Sequence, residues 1–260
     1  MGKLDGKVAV VTGSGRGIGK ATVELFSKEG AFIVVSDIDE GVVKETVAGI
    51  EAAGGKVVGC VCDVTKAEDC QKLMDTAVNK FGKLDILVNN AGIIRDSMLH
   101  KMTDQQWDIC IDINLKGTFN CIRAASNYMR QERHGGRIIN LASLAGLMGN
   151  AGQINYAAAK AGVIGLTKAV AKEWDRFGIT CNAVAYGFVE SRLTDVKETS
   201  EDVMGEKMGL PQQQRDAYLA QIGNKTMKPE DAAKFILFFA SDDARFVTGQ
   251  VLNISAGLYI

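Results

Sequence analysis

The chain has 260 residues, of which 47% are hydrophobic and 23% charged, and its 30 basic and 31 acidic residues leave a net charge of −1. This composition is that of an ordinary globular protein, and it excludes the basic excess of proteins that bind nucleic acid or anionic membranes. The length suits one large α/β unit, so we expect a single domain over residues 1–260.

No segment predicts export or membrane insertion. The first eleven residues lack a long apolar core, and the apolar run at 235–240 (FILFFA) is far below the ~18 residues that span a bilayer. The six cysteines form no C-x-x-C pair, and only His100 and His134 are available as histidine ligands. We therefore expect reduced core thiols, no metal site and a cytoplasmic location.

The first predicted unit is a strand, a glycine loop and a helix. Residues 7–12 (KVAVVT) are apolar and β-branched, residues 13–19 (GSGRGIG) follow at once, and residues 20–29 have helical spacing. Glycines allow backbone angles and close packing that other residues resist, and a helix N-terminus attracts a pyrophosphate. The loop therefore predicts dinucleotide binding, with a simple turn as the alternative. Its spacing is G-x-x-x-G-x-G.

An acidic residue follows the second predicted strand, residues 31–36 (AFIVVS). Asp37 comes eighteen residues after Gly19, close to the ~20 expected for an acid that binds the adenosine ribose. A carboxylate there repels a 2′-phosphate and favours NAD over NADP. Arg16 is a contrary signal, because a cation in the loop can pair with that phosphate. The alternative role for Asp37 is the N-cap of the helix that begins near Glu40.

Two more strands are predicted at residues 56–62 and 84–89, after helices at 41–53 and 66–80. Asp63 follows the first of these strands, where a doubly wound sheet presents its ligand crevice. The second strand leads into Asn89-Asn90-Ala91-Gly92, whose amides and small residues suit a turn that lets a cofactor pass close. An ordinary turn is the alternative.

Residues 103–129 predict one long helix that contains Asn114 and ends near His134 and Gly135-Gly136. An asparagine inside a helix is mildly unfavourable because its amide competes for backbone partners. The alternative is a side chain that faces solvent. The fifth predicted strand, residues 137–141, then leads to Ser143.

Tyr156 and Lys160 are four residues apart, so on a helix they share one face. A free tyrosine titrates near pH ~10, and a neighbouring ammonium favours the phenolate. We therefore expect Lys160 to lower the pKa of Tyr156, and we expect the Ser143 hydroxyl to hold a substrate oxygen opposite it. The alternative is an ordinary amphipathic helix with both side chains in solvent.

The sixth strand is predicted at 180–185 and the seventh at 250–254, with a helix at 229–240 between them. Residues 192–227 are polar and weakly helical, which predicts either a substrate lid or a solvated surface excursion. The alternation of strands and helices predicts an α/β Rossmann fold: a doubly wound, seven-stranded parallel sheet with helices on both faces.

These motifs, taken in order, resemble the short-chain dehydrogenase/reductase family over nearly the whole chain. The matching pieces are Thr12–Gly19 (TGSGRGIG), Asp63, Asn89–Gly92 (NNAG), Asn114, Ser143 and Tyr156-x-x-x-Lys160. Within the family the chain most resembles the bacterial 3-oxoacyl-acyl-carrier-protein reductases, through Ile94-Arg-Asp96, residues 148–153 (MGNAGQ), residues 155–162 (NYAAAKAG) and residues 178–180 (GIT).

The resemblance implies a nicotinamide cofactor and four catalytic residues. Tyr156 would exchange a proton with the substrate oxygen, which Ser143 holds. Lys160 would bind the nicotinamide ribose, and Asn114 would anchor a water that refills the proton. The nicotinamide would lie near Gly187 and Val189. The residues assigned to the cofactor are Gly13, Ser14, Arg16, Gly17, Ile18, Gly19, Asp37, Ile38, Asp63, Val64, Asn90, Ala91, Gly92, Tyr156, Lys160, Gly187 and Val189.

Two departures from the family pattern affect the expected activity. Tyr186 stands where the family usually has proline, and Asp37 favours NAD although the reductases resembled mostly use NADPH. We expect an NAD(H)-dependent enzyme that interconverts a 3-oxoacyl thioester, of acyl carrier protein or coenzyme A, and its 3-hydroxyacyl form. The alternatives are another secondary alcohol (cyclic, steroid or sugar) and a dinucleotide-binding regulator without turnover. By resemblance we also expect a homotetramer, with the Asn114 and Tyr156 helices at its interfaces.

Overall fold

Alternating β-branched strands and amphipathic helices build one parallel sheet covered on both faces. The computed structural model describes residues 2–130 and 135–259. Within them the strands are β1 (Val8–Val11), β2 (Phe32–Asp37), β3 (Val57–Val61), β4 (Ile86–Asn89), β5 (Gly136–Ser143), β6 (Ile179–Tyr186), β7 (Asp202–Val203), β8 (Glu206–Lys207) and β9 (Val251–Ile254). The helices are α1 (Gly17–Lys28), α2 (Glu40–Ala52), α3 (Ala67–Phe81), α4 (Asp104–Ile111), α5 (Gly117–Met129), α6 (Ala145–Met148), α7 (Ile154–Trp174), α8 (Gln212–Gln221) and α9 (Pro229–Ala240).

The sheet has the order β3-β2-β1-β4-β5-β6-β9, and every neighbouring pair in it is parallel. This confirms the predicted Rossmann fold. The chain runs outward from β1 in one direction and then crosses to β4 on the other side. At such a reversal the two adjoining loops separate, which opens a crevice at the carboxyl ends of the strands.

The core lies in two layers, one on each face of the sheet. Successive side chains of a strand point to opposite faces, so Val8 and Val10 belong to one layer and Ala9 and Val11 to the other. The first layer packs against α3, α5 and α7, and the second against α1, α2 and α9. With both faces covered, the strands are almost uniformly apolar.

Two predicted segments differ from the structure. The single helix predicted over 103–129 is interrupted by a π-helical turn, Asp112–Lys116, between α4 and α5. Its predicted end at His134 lies outside the described residues. The segment predicted at 192–227 as weakly helical contains the antiparallel hairpin β7–β8 as well as α8.

Candidate active site

The carboxyl ends of six strands, β1 to β6, and the loops that follow them line one cavity, beside the reversal between β1 and β4. Most of the predicted site residues line it: Gly13, Arg16, Gly17, Ile18, Asp37, Ile38, Asp63, Val64, Asn90, Ala91, Gly92, Ser143, Tyr156, Lys160, Gly187 and Val189. The structure therefore brings together residues that are up to 176 positions apart in sequence. Ser14, Gly19 and Asn114 do not line the cavity.

The glycine loop has the geometry of a phosphate-binding turn. Gly13 and Gly17 have φ angles of +61° and +52°, which side chains rarely adopt. A Cβ on Gly19 would lie 2.3 Å from the Gly13 carbonyl oxygen, so only glycine allows this approach of helix to loop. The N-cap residue of α1, Arg16, makes no side-chain capping hydrogen bond. The first amides of α1 are therefore available for an anion.

Two of the predicted cofactor residues support the loop instead of facing the cavity. Gly19 has the packing role just described. The Ser14 hydroxyl is buried, donates to the Val11 carbonyl at 2.8 Å and accepts the Ser36 N–H at 2.9 Å. With both its donor and its acceptor in use, the Ser14 hydroxyl ties the loop to β2.

Asp37 faces the cavity at the end of β2. Its carboxylate accepts the Gly15 N–H at 3.2 Å and the Asp39 N–H at 3.3 Å, which leaves acceptor capacity for two ribose hydroxyls. The N-cap of α2 is Asp39, which accepts the N–H groups of Gly41 and Val42. The alternative interpretation of Asp37 as that cap is therefore wrong.

Arg16, the contrary signal for NADP, is already paired. Its guanidinium lies 2.9 Å from an Asp39 oxygen and 3.4 Å from a Glu201 oxygen. Both pairs are solvent-exposed and weak individually, but two carboxylates and the nearby Asp37 make this corner less attractive for an additional phosphate.

Asp63 and Asn90 lie on the remaining wall of the cavity. The Asp63 carboxylate accepts from both the N–H and the hydroxyl of Thr65, at 3.0 and 2.7 Å. The Asn90 amide donates to the carbonyls of Thr12 and Gly13, at 2.9 and 2.8 Å. Asn90 thus links the loop after β4 to the glycine loop after β1. The Asn89–Gly92 segment therefore makes contacts to a distant part of the chain that an ordinary local turn lacks.

Tyr156 and Lys160 lie on one face of α7, beneath Ser143 at the end of β5. Only 4% of Lys160 is exposed, so the alternative of a solvent-facing pair is wrong. Its Nζ donates to the Leu141 carbonyl at 2.7 Å and lies 5.5 Å from the centre of the Tyr156 ring. The Ser143 Oγ accepts the Ala145 N–H at 3.2 Å, which orients the hydroxyl at the mouth of the site.

The expectation that Lys160 lowers the pKa of Tyr156 is wrong. Burial raises the pKa of Tyr156 well above its usual value, and only the Ser143 hydroxyl opposes the rise. Burial also lowers the pKa of Lys160 to about 8. Loss of solvent is the largest cause of both pKa shifts, and Lys160 donates to the Leu141 carbonyl and not to the phenol oxygen. Near neutral pH the phenol is therefore protonated and Lys160 is largely charged.

Asn114 lies in the π-helical turn and is fully buried, so the solvent-facing alternative is wrong. Its Nδ2 donates to the carbonyls of Ile93 and Cys110, both at 2.9 Å. Among residues 2–130 and 135–259, its Oδ1 has no hydrogen-bond partner. A Cβ on Gly92 would lie 2.7 Å from this oxygen and 3.6 Å from Lys160 Nζ. The free acceptor is thus close to the ammonium, where a water can join them.

Tyr186, which stands where the family usually has proline, is held firmly at the end of β6. It extends β6 by one residue, is 4% exposed, and its hydroxyl donates to the Ala232 carbonyl at 2.6 Å. Gly187 then donates its N–H to the Ile254 carbonyl at 2.9 Å, which ties the turn to β9.

Sequence reasoning missed the individual cavity residues of the 192–227 segment. Arg192 lines the cavity beside Arg16 and Asp37, while Val203, Met204 and Met208 form an apolar wall. The available signal was the cluster of methionines at 204 and 208, since methionine often lines adaptable binding surfaces.

Comparison with known proteins agrees with this geometry. A family model described as short chain dehydrogenase matches residues 7–202. The chain belongs to the short-chain dehydrogenase family. As a member, it is an oxidoreductase that uses a nicotinamide cofactor and acts on a C=O/CH–OH pair, and the predicted family is confirmed.

Three relatives match nearly end to end. The 3-oxoacyl-[acyl-carrier-protein] reductase FabG of Thermotoga maritima is 43% identical over 259 residues, which are 99% of this chain and 100% of the relative. The reductase of the same name from Staphylococcus aureus is 43% identical over 261 residues, 98% of each chain. The (2S)-[(R)-hydroxy(phenyl)methyl]succinyl-CoA dehydrogenase subunit BbsD of Thauera aromatica is 41% identical over 255 residues, 98% of this chain and 97% of the relative.

All six cysteines are buried free thiols. Within the described residues, no helix combines the length and apolarity that a membrane crossing requires.

Proposed function

We propose that this protein interconverts 3-oxoacyl thioesters and their 3-hydroxyacyl forms with NAD(H) as cofactor. The observation that carries the proposal is that Ser143, Tyr156 and Lys160 line one cavity, with the buried Asn114 beside Lys160, in a chain 43% identical over its length to a 3-oxoacyl-[acyl-carrier-protein] reductase. The intact set argues against a regulator without turnover.

The chain's own residues fit a bound dinucleotide. The free amides of α1 suit its pyrophosphate, the Asp37 carboxylate suits the adenosine ribose, and Lys160 suits the nicotinamide ribose. Asp37 and the paired state of Arg16 support NAD, because a 2′-phosphate would meet carboxylates there. When bound, the dinucleotide supplies or accepts the hydride.

The remaining steps belong to protein side chains. In reduction, the Ser143 hydroxyl donates to the substrate oxygen and Tyr156, protonated because burial raises the pKa of its phenol, transfers its proton to that oxygen. The Lys160 ammonium stabilises the resulting phenolate. A water held by the free Asn114 Oδ1 near Lys160 returns a proton to the pair. In oxidation, the same groups transfer protons in the opposite direction, with Tyr156 as the base that accepts the proton of the alcohol.

The acyl carrier is either acyl carrier protein or coenzyme A. The names of the two FabG relatives specify the first, and that of BbsD specifies a coenzyme A ester. The apolar wall of Val203, Met204 and Met208 supports an acyl group in the cavity.

Steady-state assays test the proposal. Acetoacetyl-CoA and an acetoacetyl-acyl-carrier-protein should be reduced with NADH at a higher kcat/KM than cyclic ketones, oxosteroids or keto sugars. If only a cyclic ketone, an oxosteroid or a keto sugar is reduced, the proposed thioester substrate is wrong, and the same chemistry acts on another carbonyl and its secondary alcohol. We also propose a homotetramer with the helical segment that contains Asn114 and the helix α7, which contains Tyr156, at its interfaces. Sedimentation velocity in the same buffer tests the oligomeric state.

A further inference from the structure

The buried side chain of Arg95 contacts the hairpin β7–β8. The side chain of Arg95 is 2% exposed. Its Nη2 donates to the Val203 carbonyl, its Nη1 donates to the Ile94 carbonyl at 2.9 Å, and its Nε lies 4.0 Å from a Glu206 oxygen. A guanidinium taken out of water needs such partners, because an uncompensated buried charge is strongly destabilising. The hairpin supplies two of the three.

Gln106 holds the same hairpin from α4. Its Nε2 lies 3.2 and 3.3 Å from the two Glu206 oxygens, while its Oε1 accepts the Thr103 N–H at 3.2 Å. This second bond is half of the capping box that begins α4. The Gln106 side chain is therefore fixed at one end by a helix cap and bonded at the other to the hairpin.

Asn155 connects these two residues to the catalytic tyrosine. It is fully buried, and its Nδ2 donates to the backbone carbonyls of Arg95 and Gln106, both at 2.9 Å. Its Oδ1 accepts the Tyr156 N–H at 2.7 Å. The two residues that bond the hairpin are thus hydrogen-bonded to the residue directly before Tyr156.

The hairpin carries part of the cavity wall. Its two turn residues, Met204 and Gly205, have φ angles of +57° and +86°, as a tight two-residue hairpin turn requires. A methionine rarely adopts such an angle, so holding Met204 in this turn costs conformational free energy. Val203 and Met204 line the same cavity as Tyr156.

We propose that Arg95, Gln106, Asn155 and Glu206, here named the lid brace, are positioning residues that fix the hairpin over the cavity in register with Tyr156. The brace holds the apolar wall where the acyl group of the substrate lies, and so it sets substrate affinity. That identification of the substrate rests on the proposed function. The bracing itself does not, since it follows from bonds within the chain.

Hydrogen–deuterium exchange of the dinucleotide-bound protein tests the bracing without any substrate. Arg95→Met removes the hydrogen bond to the Val203 carbonyl. Glu206→Gln weakens the contacts of the half-exposed Glu206 carboxylate with Arg95 and Gln106 and buries no new group. Asp216→Asn is the matched control, because Asp216 lies on α8, where its carboxylate accepts from Gln212. Amides of 202–207 should exchange about tenfold faster in Arg95→Met and about threefold faster in Glu206→Gln, as expected when one or two hydrogen bonds are lost.

Kinetics then test the link to the substrate. Both brace variants should raise KM for acetoacetyl-CoA by about three- to tenfold, with kcat within about twofold and the NADH Kd from fluorescence unchanged. Arg95→Lys, which keeps the charge but not the guanidinium fork, should recover only part of the loss. Asp216→Asn should match the wild type in every measurement.

Unchanged exchange at 202–207 in both variants would overturn the proposal. So would faster exchange with KM unchanged, because the hairpin would then be held without affecting the substrate. If Arg95→Met does not fold, Glu206→Gln decides both outcomes. If the wild type turns over no thioester, the proposed function fails, and the exchange experiment still decides the brace on its own.

Discussion

Replacing Lys160 with methionine should abolish catalysis and, at pH 7, raise the free energy of unfolding. Burial lowers the pKa of Lys160 from 10.5 to about 8, so the folded chain holds its charged form less favourably than the unfolded chain does. Each unit of pKa corresponds to about 1.4 kcal/mol, which makes the penalty about 3 kcal/mol at pH 7. Methionine has a similar length and carries no charge.

The variant also loses one bond. The Leu141 carbonyl, which accepts from Lys160 Nζ at 2.7 Å, would be left without this donor, at a cost of about 1–2 kcal/mol. The ligand-free variant should therefore be more stable than the wild type by about 1–2 kcal/mol at pH 7, and it should be inactive.

The difference should change sign with pH. Between pH 8 and 10.5 the folded wild type binds fewer protons at Lys160 than the unfolded chain does, so the contribution of this group to wild-type stability rises with pH. Near pH 10 most of the charge penalty has gone while the lost bond remains. The variant should then be no more stable than the wild type.

Urea unfolding followed by circular dichroism, at pH 7 and pH 10 and at equal protein concentration, measures this difference. Lys168→Met is the control, because Lys168 is exposed on the same helix. The control should show a small difference that does not depend on pH. A Lys160→Met protein that is less stable at pH 7, or a difference that stays constant with pH, would refute the assignment of a buried charge penalty.

Two further predictions concern the chemistry and the cofactor. Tyr156→Phe should lower kcat by about 10²–10⁴-fold with little change in NADH affinity. Tyr128→Phe is the control and should retain turnover, because the Tyr128 hydroxyl bonds Asp75 outside the site. A Tyr156→Phe variant that keeps its activity would show that Tyr156 does not transfer the proton. Asp37→Ser should shift the kcat/KM ratio of NADH to NADPH at least about tenfold toward NADPH, since a like charge opposite the 2′-phosphate is removed. A wild type that already prefers NADPH would contradict the cofactor assignment.

The sheet and most of the cavity lining were predictable from sequence because both follow from strand ends. In a parallel sheet the carboxyl ends share one edge, so Asp37, Asp63, Asn90, Ser143 and Gly187 were brought together by the alternation of elements alone. Their side-chain contacts did not need to be known.

What sequence did not reveal depends on contacts between distant segments. The run from Asp37 to Glu40 contains several carboxylates that can cap a helix, and in the structure Asp39 caps α2 while Asp37 accepts from Gly15. The direction of the Tyr156 pKa shift depends on burial, which the spacing of Tyr156 and Lys160 does not contain. The role of Arg95 required the position of a hairpin more than a hundred residues away.

The π-helical turn at Asp112–Lys116 has a consequence for anyone who re-engineers this region. A π turn holds one residue more than an α turn, so α4 and α5 are offset from a continuous α-helix by about 100°. Forcing the segment into a continuous α-helix at the same chain length would rotate every later side chain of α5 by about 100° away from α3, whereas deleting one residue of the turn would straighten the segment with α5 still facing α3. Grafts between this chain and a straight-helix scaffold must therefore match the rotational phase of the two helices as well as their residue numbers.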